Sequence, residues 1–335
     1  MEVLEVEGVR IAGIAAFVPP GRVENDAKVA AATGIPARRV APSGASVADL
    51  CLAAARRVIA DASSRPDEFG AIVAVSFTQR ERMPSVSAQA QARLGFPKGV
   101  LALDLMQACA GWPYGLYVAS LLARETGKKV LLLDGDKRSD FLDANDAATS
   151  PLLSDGATAT IVENEVEARG EGGEWKFAFL TDGGKGDALR LEKGSTIKMD
   201  GFGVFRFVAT DVVAFLKEFA EKISQVSSPR LPNSDSSVLS AADIGFFVPH
   251  QPNVYMVRQL AKALGLSDCT LVSADRFGNL ASASVPATIA AHADEIAGKG
   301  ARVLASGFGG GLAASAASIV LPADCRLSVS EEEIG

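Results

Sequence analysis

His250 stands where a catalytic or ligand-binding side chain is expected. It follows the apolar run IGFFVP, residues 244–249, and opens the sequence HQPN, so it lies at the carboxyl end of a predicted strand. In open α/β sheets, ligands and catalytic groups gather at that edge. For His250 taken alone, a purely structural role stays open. The second histidine, His292, has Asp294 and Glu295 close to it in sequence and is interpreted as a surface residue.

Cys109 has the parallel position in the first half of the chain. It follows VLALDLMQA and precedes AGWPYGLYVASLLA, a run with helical character. A cysteine at a helix N-terminus is stabilised as the thiolate by the helix dipole, which suits a nucleophile. The alternative is a small buried hydrophobic side chain, the usual state of a free cysteine. We give that interpretation to Cys51 and Cys269.

Asn279 follows CTLVSADRFG at a third predicted strand end. An asparagine after a glycine is usually only a turn residue. The set of three is more informative, because two copies of one unit would place Cys109, His250 and Asn279 at equivalent edges. A nucleophile, a nitrogen base or donor, and an amide donor would then converge between the two halves.

Two similar sets of strands must position these residues. In the first set, predicted strands begin at residues 71, 100, 129 and 157 and alternate with alanine-rich helical segments. The second set covers residues 244–248, 270–272, 301–304 and 316–321, in the same order. Near-continuous apolar strands between helices are typical of a largely parallel sheet covered on both faces. We therefore predict two weak copies of one α/β unit, residues 1–169 with the cysteine and residues 170–335 with the histidine and the asparagine.

Four further segments carry predictions of their own. Residues 303–323 contain no charged side chain and are rich in Gly, Ala and Ser, which favours two buried strands around a glycine turn over a membrane helix. Residues 212–223 form one apolar face at helical spacing, so they predict a helix packed on the core. Residues 170–195 predict a hairpin and loops, and residues 224–237 predict a mobile surface loop.

The composition excludes several classes of protein. Apolar residues make up 48% and charged residues 22%, as in a globular chain rather than a disordered, coiled-coil or collagen-like one. The net charge of -7 argues against binding to nucleic acid or to anionic lipid, because both are negatively charged. Glu2, Glu5 and Glu7 have the wrong charge for the start of a signal peptide. Four cysteines without a C-x-x-C pair predict a reduced, cytoplasmic setting.

Three motifs around the candidate residues resemble those of one enzyme family. QACAGW at 107–112, PHQPN at 249–253 and GNLASASVP at 278–286 are similar to the active-site motifs of β-ketoacyl-acyl-carrier-protein synthase III, in the thiolase superfamily. Further matches, in the family order, are TGIPARRV, LLSDGATA, MDGFGVF and GFGGG. The resemblance covers nearly the whole chain. It implies the thiolase-like five-layered αβαβα fold, built from two pseudo-symmetric α/β halves, and a homodimer.

The resemblance also implies a role for each site residue. Cys109 takes an acyl group from a thioester, and His250 and Asn279 stabilise the enolate formed when a malonyl thioester loses carbon dioxide. The backbone N–H groups of Cys109 and Gly310 form an oxyanion hole for the acyl carbon, and Asn253 contacts the pantetheine arm. No cofactor or metal is implied, since the substrates arrive as thioesters of coenzyme A or of acyl carrier protein, the expected partner protein.

The chain departs from the family at positions that bind the substrate's carrier. The tryptophan and two arginines that usually grip the adenine end of coenzyme A are replaced by Lys28, Ala32 and Ala147. An arginine that helps to dock the carrier protein is replaced by Tyr255. A bulky aromatic gate residue, supplied across the dimer, is replaced by Met83, whose flexibility suits varied acyl chains. Another arginine beside the TGI motif, Arg38 or Arg39, is an alternative grip for the nucleotide.

The predicted function is therefore decarboxylative condensation, in fatty-acid synthesis or in a specialised acyl or polyketide pathway. One alternative is an acyltransferase that makes an ester or amide from the acyl-Cys109 intermediate. A second alternative is a non-catalytic partner subunit, which the presence of Cys109 disfavours.

Overall fold

Two β-sheets form the framework of the chain. The computed structural model describes residues 1–165, 173–227, 244–298 and 300–334, without the side chains of 225–227. The strands are β1 Leu4–Val6, β2 Val9–Phe17, β3 Arg22–Glu24, β4 Ala37–Arg39, β5 Phe69–Val75, β6 Leu101–Leu105, β7 Lys129–Asp136, β8 Gly156–Asn164, β9 Trp175–Thr181, β10 Leu189–Arg190, β11 Lys198–Met199, β12 Phe246–Pro249, β13 Ala301–Gly309, β14 Ala313–Leu321 and β15 Arg326–Ser330.

The two large sheets repeat one topology. The six-stranded sheet has the order β15-β2-β8-β7-β5-β6, and the five-stranded sheet has the order β1-β9-β14-β13-β12. In the first sheet β8 is antiparallel to both β2 and β7, while β7, β5 and β6 run parallel. In the second sheet β14 is likewise antiparallel to β9 and β13, and β12 is parallel to β13. The predicted internal repeat is confirmed. The predicted largely parallel pairing is wrong, because five of the nine strand pairs in the two large sheets are antiparallel.

Helices cover both faces of each sheet. They are α1 Ala27–Thr33, α2 Val47–Asp61, α3 Val86–Arg93, α4 Gly111–Thr126, α5 Gly201–Phe207, α6 Val213–Ser227, α7 Val254–Leu264, α8 Ala274–Phe277, α9 Ser284–Ala291 and α10 Ala293–Ile296. Apolar side chains of α4 and α9 fill the space between the sheets. Helix α2 packs on the outer face of the first sheet, and α6 and α7 pack on the outer face of the second. This is the five-layered αβαβα arrangement that the resemblance implies.

The two ends of the chain cross between the sheets. Strand β1 pairs with β9 in the second sheet, whereas β15 pairs in parallel with β2 in the first. Each sheet therefore takes one edge strand from the opposite end of the chain. The predicted boundary between residues 169 and 170 lies outside the described residues.

Several segment predictions are confirmed and two need correction. Strands β13 and β14 form the predicted antiparallel pair around a glycine turn. The predicted core helix is α6, which follows a single π-helical turn at Val208–Val212. Within residues 170–195, however, Trp175–Thr181 is a strand of the second sheet rather than hairpin or loop. Residues 270–272 form no full strand, because only Thr270 makes a bridge to Phe247.

The predicted loop at 224–237 lies mostly outside the described residues, since only 224–227 are described, as the end of α6. Among the helices that the structure describes, none is long and apolar enough to cross a lipid bilayer.

Candidate active site

Cys109 lies in a tight turn between β6 and α4. The turn is a 3₁₀ helix over Ala108–Ala110, and α4 begins at Gly111. Ala108 has a φ of 40°, a conformation that costs free energy for a residue with a Cβ and is typical of functional turns. Ser315 Oγ, on β14, donates a hydrogen bond to Ala110 O at 2.8 Å. The second sheet thus holds the turn of the first half in place.

Glycines at the end of β13 allow the second sheet to approach Cys109 closely. A Cβ at Gly309 would lie 2.9 Å from Cys109 Cβ and 3.4 Å from Sγ. The φ of 148° at Gly309 also favours glycine. A Cβ at Gly310 would lie 3.1 Å from Ala108 Cβ. Gly310, the predicted second donor of the oxyanion hole, therefore lies directly against the nucleophile turn.

His250 follows β12, as predicted, at the carboxyl end of the strand. Its backbone N–H donates to Ser306 O at 2.6 Å and so extends the pairing with β13. The imidazole is buried and makes a T-shaped contact with the ring of Phe308, at a centroid distance of 5.3 Å and an interplanar angle of 77°. Its Nδ1 lies 2.8 Å from Ser284 Oγ at the start of α9. One nitrogen is therefore engaged by the protein, which leaves Nε2 for the cavity.

Burial keeps the His250 imidazole neutral. Desolvation is the largest cause, and the positive charge of Arg138 adds to it, so the pKa of His250 falls to about 3. A neutral imidazole donates from one nitrogen only. The Ser284 hydroxyl has one hydrogen, which it can donate to Ala281 O, at 2.7 Å, or to His250 Nδ1. Only when it donates to Nδ1 does Nε2 carry the proton and act as a donor. When Nδ1–H donates to Ser284 Oγ, Nε2 is an acceptor that can take a proton from a thiol.

Asn279 is held with its amide in one orientation. Its Oδ1 accepts from the Ala281 backbone N–H at 2.9 Å and from Arg138 Nη1 at 3.1 Å. Both partners can only donate, so the engaged atom must be the oxygen. The amide nitrogen is consequently the end left to donate to a ligand. The Asn279 backbone is fixed as well, because its N–H donates to Leu152 O at 3.0 Å and its carbonyl accepts from Ser154 N at 2.9 Å.

One cavity of about 300 Å³ joins these groups. Cys109, His250, Asn279 and Gly310 all line it. Most of the remaining wall is apolar, formed by Phe77, Met106, Leu153, Leu189, Leu191, Ile197, Met199, Val204, Met256 and Phe308. The predicted convergence of the three residues is present, in the wall of a space suited to an acyl chain. The predicted strand end before Asn279 is wrong, because Asn279 follows the short helix α8.

Burial opposes ionisation of the Cys109 thiol. Desolvation raises the pKa of Cys109 to about 11, although Arg138 lowers it, and the carboxyl groups of Asp136 and Asp134 add to the rise. The helix terminus contributes about 0.3–1 kcal/mol, and up to about 2 kcal/mol in partly buried cases. The rise in the pKa of Cys109 from 9.0 to about 11 corresponds to about 3 kcal/mol. Burial therefore outweighs the dipole, and the resting group is a thiol rather than the thiolate that the helix position predicts.

Two other predicted residues lie outside the cavity wall. Asn253 is the N-cap of α7, with Oδ1 accepting from the Met256 N–H at 2.8 Å. A contact to pantetheine would fall to its Nδ2. Met83 is 82% exposed and is not among the cavity-lining residues of this single chain. Both roles stay predictions.

The positions of the missing nucleotide clamp are exposed. Lys28 and Ala32 lie on α1, and Ala147 lies in the loop before β8. Arg39, one of the two alternatives, is buried, with Nη2 on Glu331 Oε2 at 2.6 Å and Nη1 on Pro19 O at 3.1 Å. Because Arg39 is committed to the fold, Arg38 is the member of that pair left to contact a nucleotide.

Arg138 and Ser284 are site residues that the sequence reasoning missed. Ser284 lies inside the GNLASASVP motif, and Arg138 follows β7 at the same sheet edge as Cys109. The strand-end argument applied to Cys109 applies equally to Arg138. It was hidden by the charged context GDKRSD, which looks like an exposed loop. In the described part of the chain, no group of three or more His, Cys, Asp or Glu side chains could hold a metal ion.

Comparisons with known proteins agree with the geometry. The family model described as 3-oxoacyl-[acyl-carrier-protein (ACP)] synthase III matches residues 103–183, and the model for its C-terminal part matches residues 235–321. A β-ketoacyl-[acyl-carrier-protein] synthase III of Tropheryma whipplei (strain Twist) is 31% identical over 307 residues, which cover 87% of this chain and 88% of that protein.

Solved structures show the same fold. A 3-oxoacyl-(acyl-carrier protein) synthase from Burkholderia xenovorans LB400 superposes with a TM-score of 0.87 at 27% identity, covering 99% of each chain. The priming β-ketosynthase of the R1128 polyketide pathway superposes with a TM-score of 0.80 at 26% identity, covering 96% of this chain and 98% of that one. These relatives are condensing enzymes, so neither alternative function is favoured. The chain belongs to the β-ketoacyl-[acyl-carrier-protein] synthase III family, a family of acyltransferases with the thiolase fold.

Proposed function

We propose that this enzyme transfers an acyl group from a thioester to Cys109 and condenses it with malonyl-acyl carrier protein, with loss of carbon dioxide. The observation that carries the proposal is the convergence of Cys109, His250 and Asn279 at one largely apolar cavity. Cys109 follows β6 of the first sheet, His250 follows β12 of the second sheet, and Asn279 lies just after the short helix α8. Such a set has no structural need to converge.

In the first half-reaction, Cys109 Sγ attacks the acyl carbon of the incoming thioester. Because the resting thiol is protonated, the proton leaves as attack proceeds, and His250 Nε2 is the acceptor that faces the cavity. The backbone N–H groups of Cys109 and Gly310 hold the tetrahedral oxyanion. The carrier's sulfur leaves with the proton, and the acyl group stays on Cys109.

In the second half-reaction, malonyl-acyl carrier protein enters and its C–C bond to the carboxylate breaks. Carbon dioxide leaves, and the bonding electron pair becomes an enolate at the thioester. His250 in its Nε2–H form and Asn279 Nδ2 are the two donors for the enolate oxygen. The enolate carbon attacks the acyl carbon, and Cys109 leaves as thiolate, which takes up a proton from solvent because its own left with the first carrier's sulfur.

The cavity is apolar enough to hold an acyl chain, and the missing clamp residues affect which carrier of the acyl group the enzyme accepts. Lys28, Ala32 and Ala147 offer no planar stack for adenine, so we propose weak discrimination between acyl-coenzyme A and the same acyl group on pantetheine or on acyl carrier protein. This is consistent with a specialised acyl or polyketide pathway. Rates of acylation by matched coenzyme A and pantetheine esters test it. A large advantage for the coenzyme A ester would show that another group, such as Arg38, grips the nucleotide.

We also propose a homodimer paired through β6. This strand is the outer edge of the first sheet, and its Leu101 is 43% exposed. Met106 and Met83, both more than three-quarters exposed at 78% and 82%, would be covered by the second copy. Met83 would then act as the acyl gate across the dimer. Sedimentation analysis of wild type and of Leu101→Lys tests the proposal, which fails if wild type is a monomer.

We propose that acyl carrier protein docks on α7. Tyr255 is 53% exposed on that helix, and Arg258 and Lys262 are exposed on the same face, one and two turns on. The positive charge that the family places at residue 255 is thus shifted along the helix. No cofactor is needed for the proposed steps. The four described cysteines are free and buried, which suits the proposed cytoplasmic setting.

Carbon dioxide release tests the reaction class. The enzyme, an acyl thioester and malonyl-acyl carrier protein labelled at the free carboxyl should release labelled carbon dioxide and form a β-ketoacyl product. Cys109→Ala should form no product. Acyl-Cys109 that passes its acyl group to an alcohol or an amine without carbon dioxide release would contradict condensation and support a simple acyltransferase.

A further inference from the structure

Arg138 is a buried cation at the centre of the site. It follows β7, is 1% exposed, and lines the same cavity as Cys109 and Asn279. Within the ranges that the structure describes, no carboxylate lies in ion-pairing distance of its guanidinium. Asp136 and Asp155 act on it only at longer range, and burial lowers its pKa despite them. Burying this charge costs desolvation free energy that no ion pair in the described ranges offsets, which argues against a purely structural role.

The guanidinium is fixed by carbonyl oxygens. Arg138 Nη2 and Nε donate to Ser154 O at 2.9 and 3.3 Å, and Nη1 donates to Asn279 Oδ1 at 3.1 Å. Because these acceptors are neutral, the positive charge is not cancelled where it sits. Three of the five N–H groups are used in these bonds, which leaves two.

One of these bonds decides what Asn279 can do. Arg138 can only donate, so it holds the amide oxygen away from any ligand and leaves the nitrogen as the donor. The Ala281 N–H supports the same orientation. With Arg138 replaced by an apolar residue, one of the two constraints on the amide is lost and the oxygen can turn toward the enolate, which it would repel.

The positive charge of Arg138, which no ion pair in the described part of the chain neutralises, also acts on the reacting groups. The Arg138 charge lowers the pKa of the Cys109 thiol, against the larger effect of burial, and it lowers the pKa of His250 in addition to burial. Each half-reaction builds negative charge near this point: on Cys109 Sγ, on the tetrahedral oxygen and on the enolate. A fixed cation in a low-dielectric site stabilises such charge without reorganisation.

We propose that Arg138 is a positioning residue, which locks Asn279 as an amide donor to the enolate and supplies a fixed positive charge for the anions formed at Cys109. This inference rests on the proposed function, since it needs both half-reactions. Substrate contact is not required of Arg138, because it acts through Asn279 and through its field.

The neighbouring residue provides a matched control. Lys137 is as buried as Arg138, at 1% exposed, but its Nζ contacts Asp140 Oδ1 at 3.2 Å and Ser43 O at 3.1 Å. It does not line the cavity, and it is not among the groups that shift the Cys109 pKa. Lys137→Met therefore removes a buried cation without touching the proposed role.

The experiment compares wild type, Arg138→Met, Arg138→Lys and Lys137→Met. Two quantities are measured: kcat and KM for decarboxylation of malonyl-acyl carrier protein, and the rate of Cys109 alkylation by iodoacetamide at pH 8. In Arg138→Met we expect kcat to fall at least about ten-fold, approaching the 10²–10³ lost with a whole donor, while KM changes little. Alkylation should slow about ten-fold, as for loss of a nearby opposite charge.

Arg138→Lys separates the two parts of the role. It keeps the charge, so alkylation should stay within about three-fold of wild type. The one nitrogen of lysine cannot occupy the positions of both Nη2, on Ser154 O, and Nη1, on Asn279 Oδ1, so kcat should still fall about ten-fold. Lys137→Met should match wild type in both quantities. A purely structural role would lower kcat and melting temperature without a change in alkylation that depends on charge.

The proposal is overturned if Arg138→Met decarboxylates as fast as Lys137→Met, or if Arg138→Lys retains the wild-type kcat. Should Arg138→Met fail to fold, the kcat of Arg138→Lys decides alone. A wild-type enzyme that neither acylates Cys109 nor releases carbon dioxide would instead refute the proposed function, so the two failures are distinguishable.

Discussion

Alkylation of Cys109 in the resting enzyme should rise about ten-fold per pH unit from pH 6 to pH 9, without a plateau. Burial raises the pKa of this thiol to about 11, so the reactive thiolate amounts to about one part in 10⁴ at pH 7. For an ordinary cysteine with a pKa near 8.5, the fraction would be a few parts in 100. Even a favourable helix terminus, at up to about 2 kcal/mol, would lower the pKa by no more than about 1.5 units.

The assay is iodoacetamide labelling at a series of pH values, with the labelled cysteine identified by peptide mass. Protein unfolded in guanidinium is the control, since all four of its cysteines should show a plateau above about pH 8.5. A plateau in the folded enzyme at or below pH 8 would refute the reasoning. It would mean that the N-terminus of α4 and the charge of Arg138 together outweigh burial.

Three further predictions follow from the site. Asn279→Ala should form acyl-Cys109 as fast as wild type, whereas His250→Ala should form it more slowly because the Cys109 thiol loses its proton acceptor. Both variants should condense about 10²–10³ more slowly, as measured by intact mass and by product formation; a wild-type condensation rate in either would remove the enolate role. Gly309→Ala should slow acylation about 10²-fold and cost about 1–3 kcal/mol of stability, because its Cβ would lie 2.9 Å from Cys109 Cβ at a φ of 148°. Gly44→Ala, whose Cβ would meet nothing within 4 Å, should change neither. The folded-state pKa of His250, about 3, lies below its unfolded value of 6.5, so the unfolded chain binds the extra proton as pH falls. Between pH 6.5 and 5 wild type should therefore lose about 2 kcal/mol more stability than His250→Gln, and equal losses in urea titrations would contradict a buried neutral imidazole.

The local elements were largely readable from the sequence, because apolar runs and glycines report their surroundings directly. The uncharged stretch that became β13 and β14 is an example. Strand β9 was missed, since glycines and charges flank it and mask its apolar period. The exchange of β1 and β15 between the sheets had no local signal either, because pairing at a sheet edge depends on which neighbour the fold leaves open.

For the site, the identity of the residues could be predicted from the sequence, but their protonation and orientation could not. Cys109 and His250 each follow a strand, so a rule about sheet edges finds them, whereas Asn279 follows the short helix α8 and is found by the family's motif. The state of those groups was not predictable, because burial and distant partners set it. The protonated thiol of Cys109, the neutral ring of His250 and the Arg138 contact that orients Asn279 all depend on three-dimensional neighbours.

Acylation of one named cysteine is the central claim, and intact mass measures it most directly. Wild type, Cys109→Ala, and Cys51→Ala would be incubated with a panel of acyl thioesters and weighed, with peptide mapping of any adduct. The account predicts one acyl mass per chain in wild type and in Cys51→Ala, mapped to Cys109, and none in Cys109→Ala. An acyl adduct on Cys109→Ala, or no adduct on wild type with any acyl thioester, would contradict it.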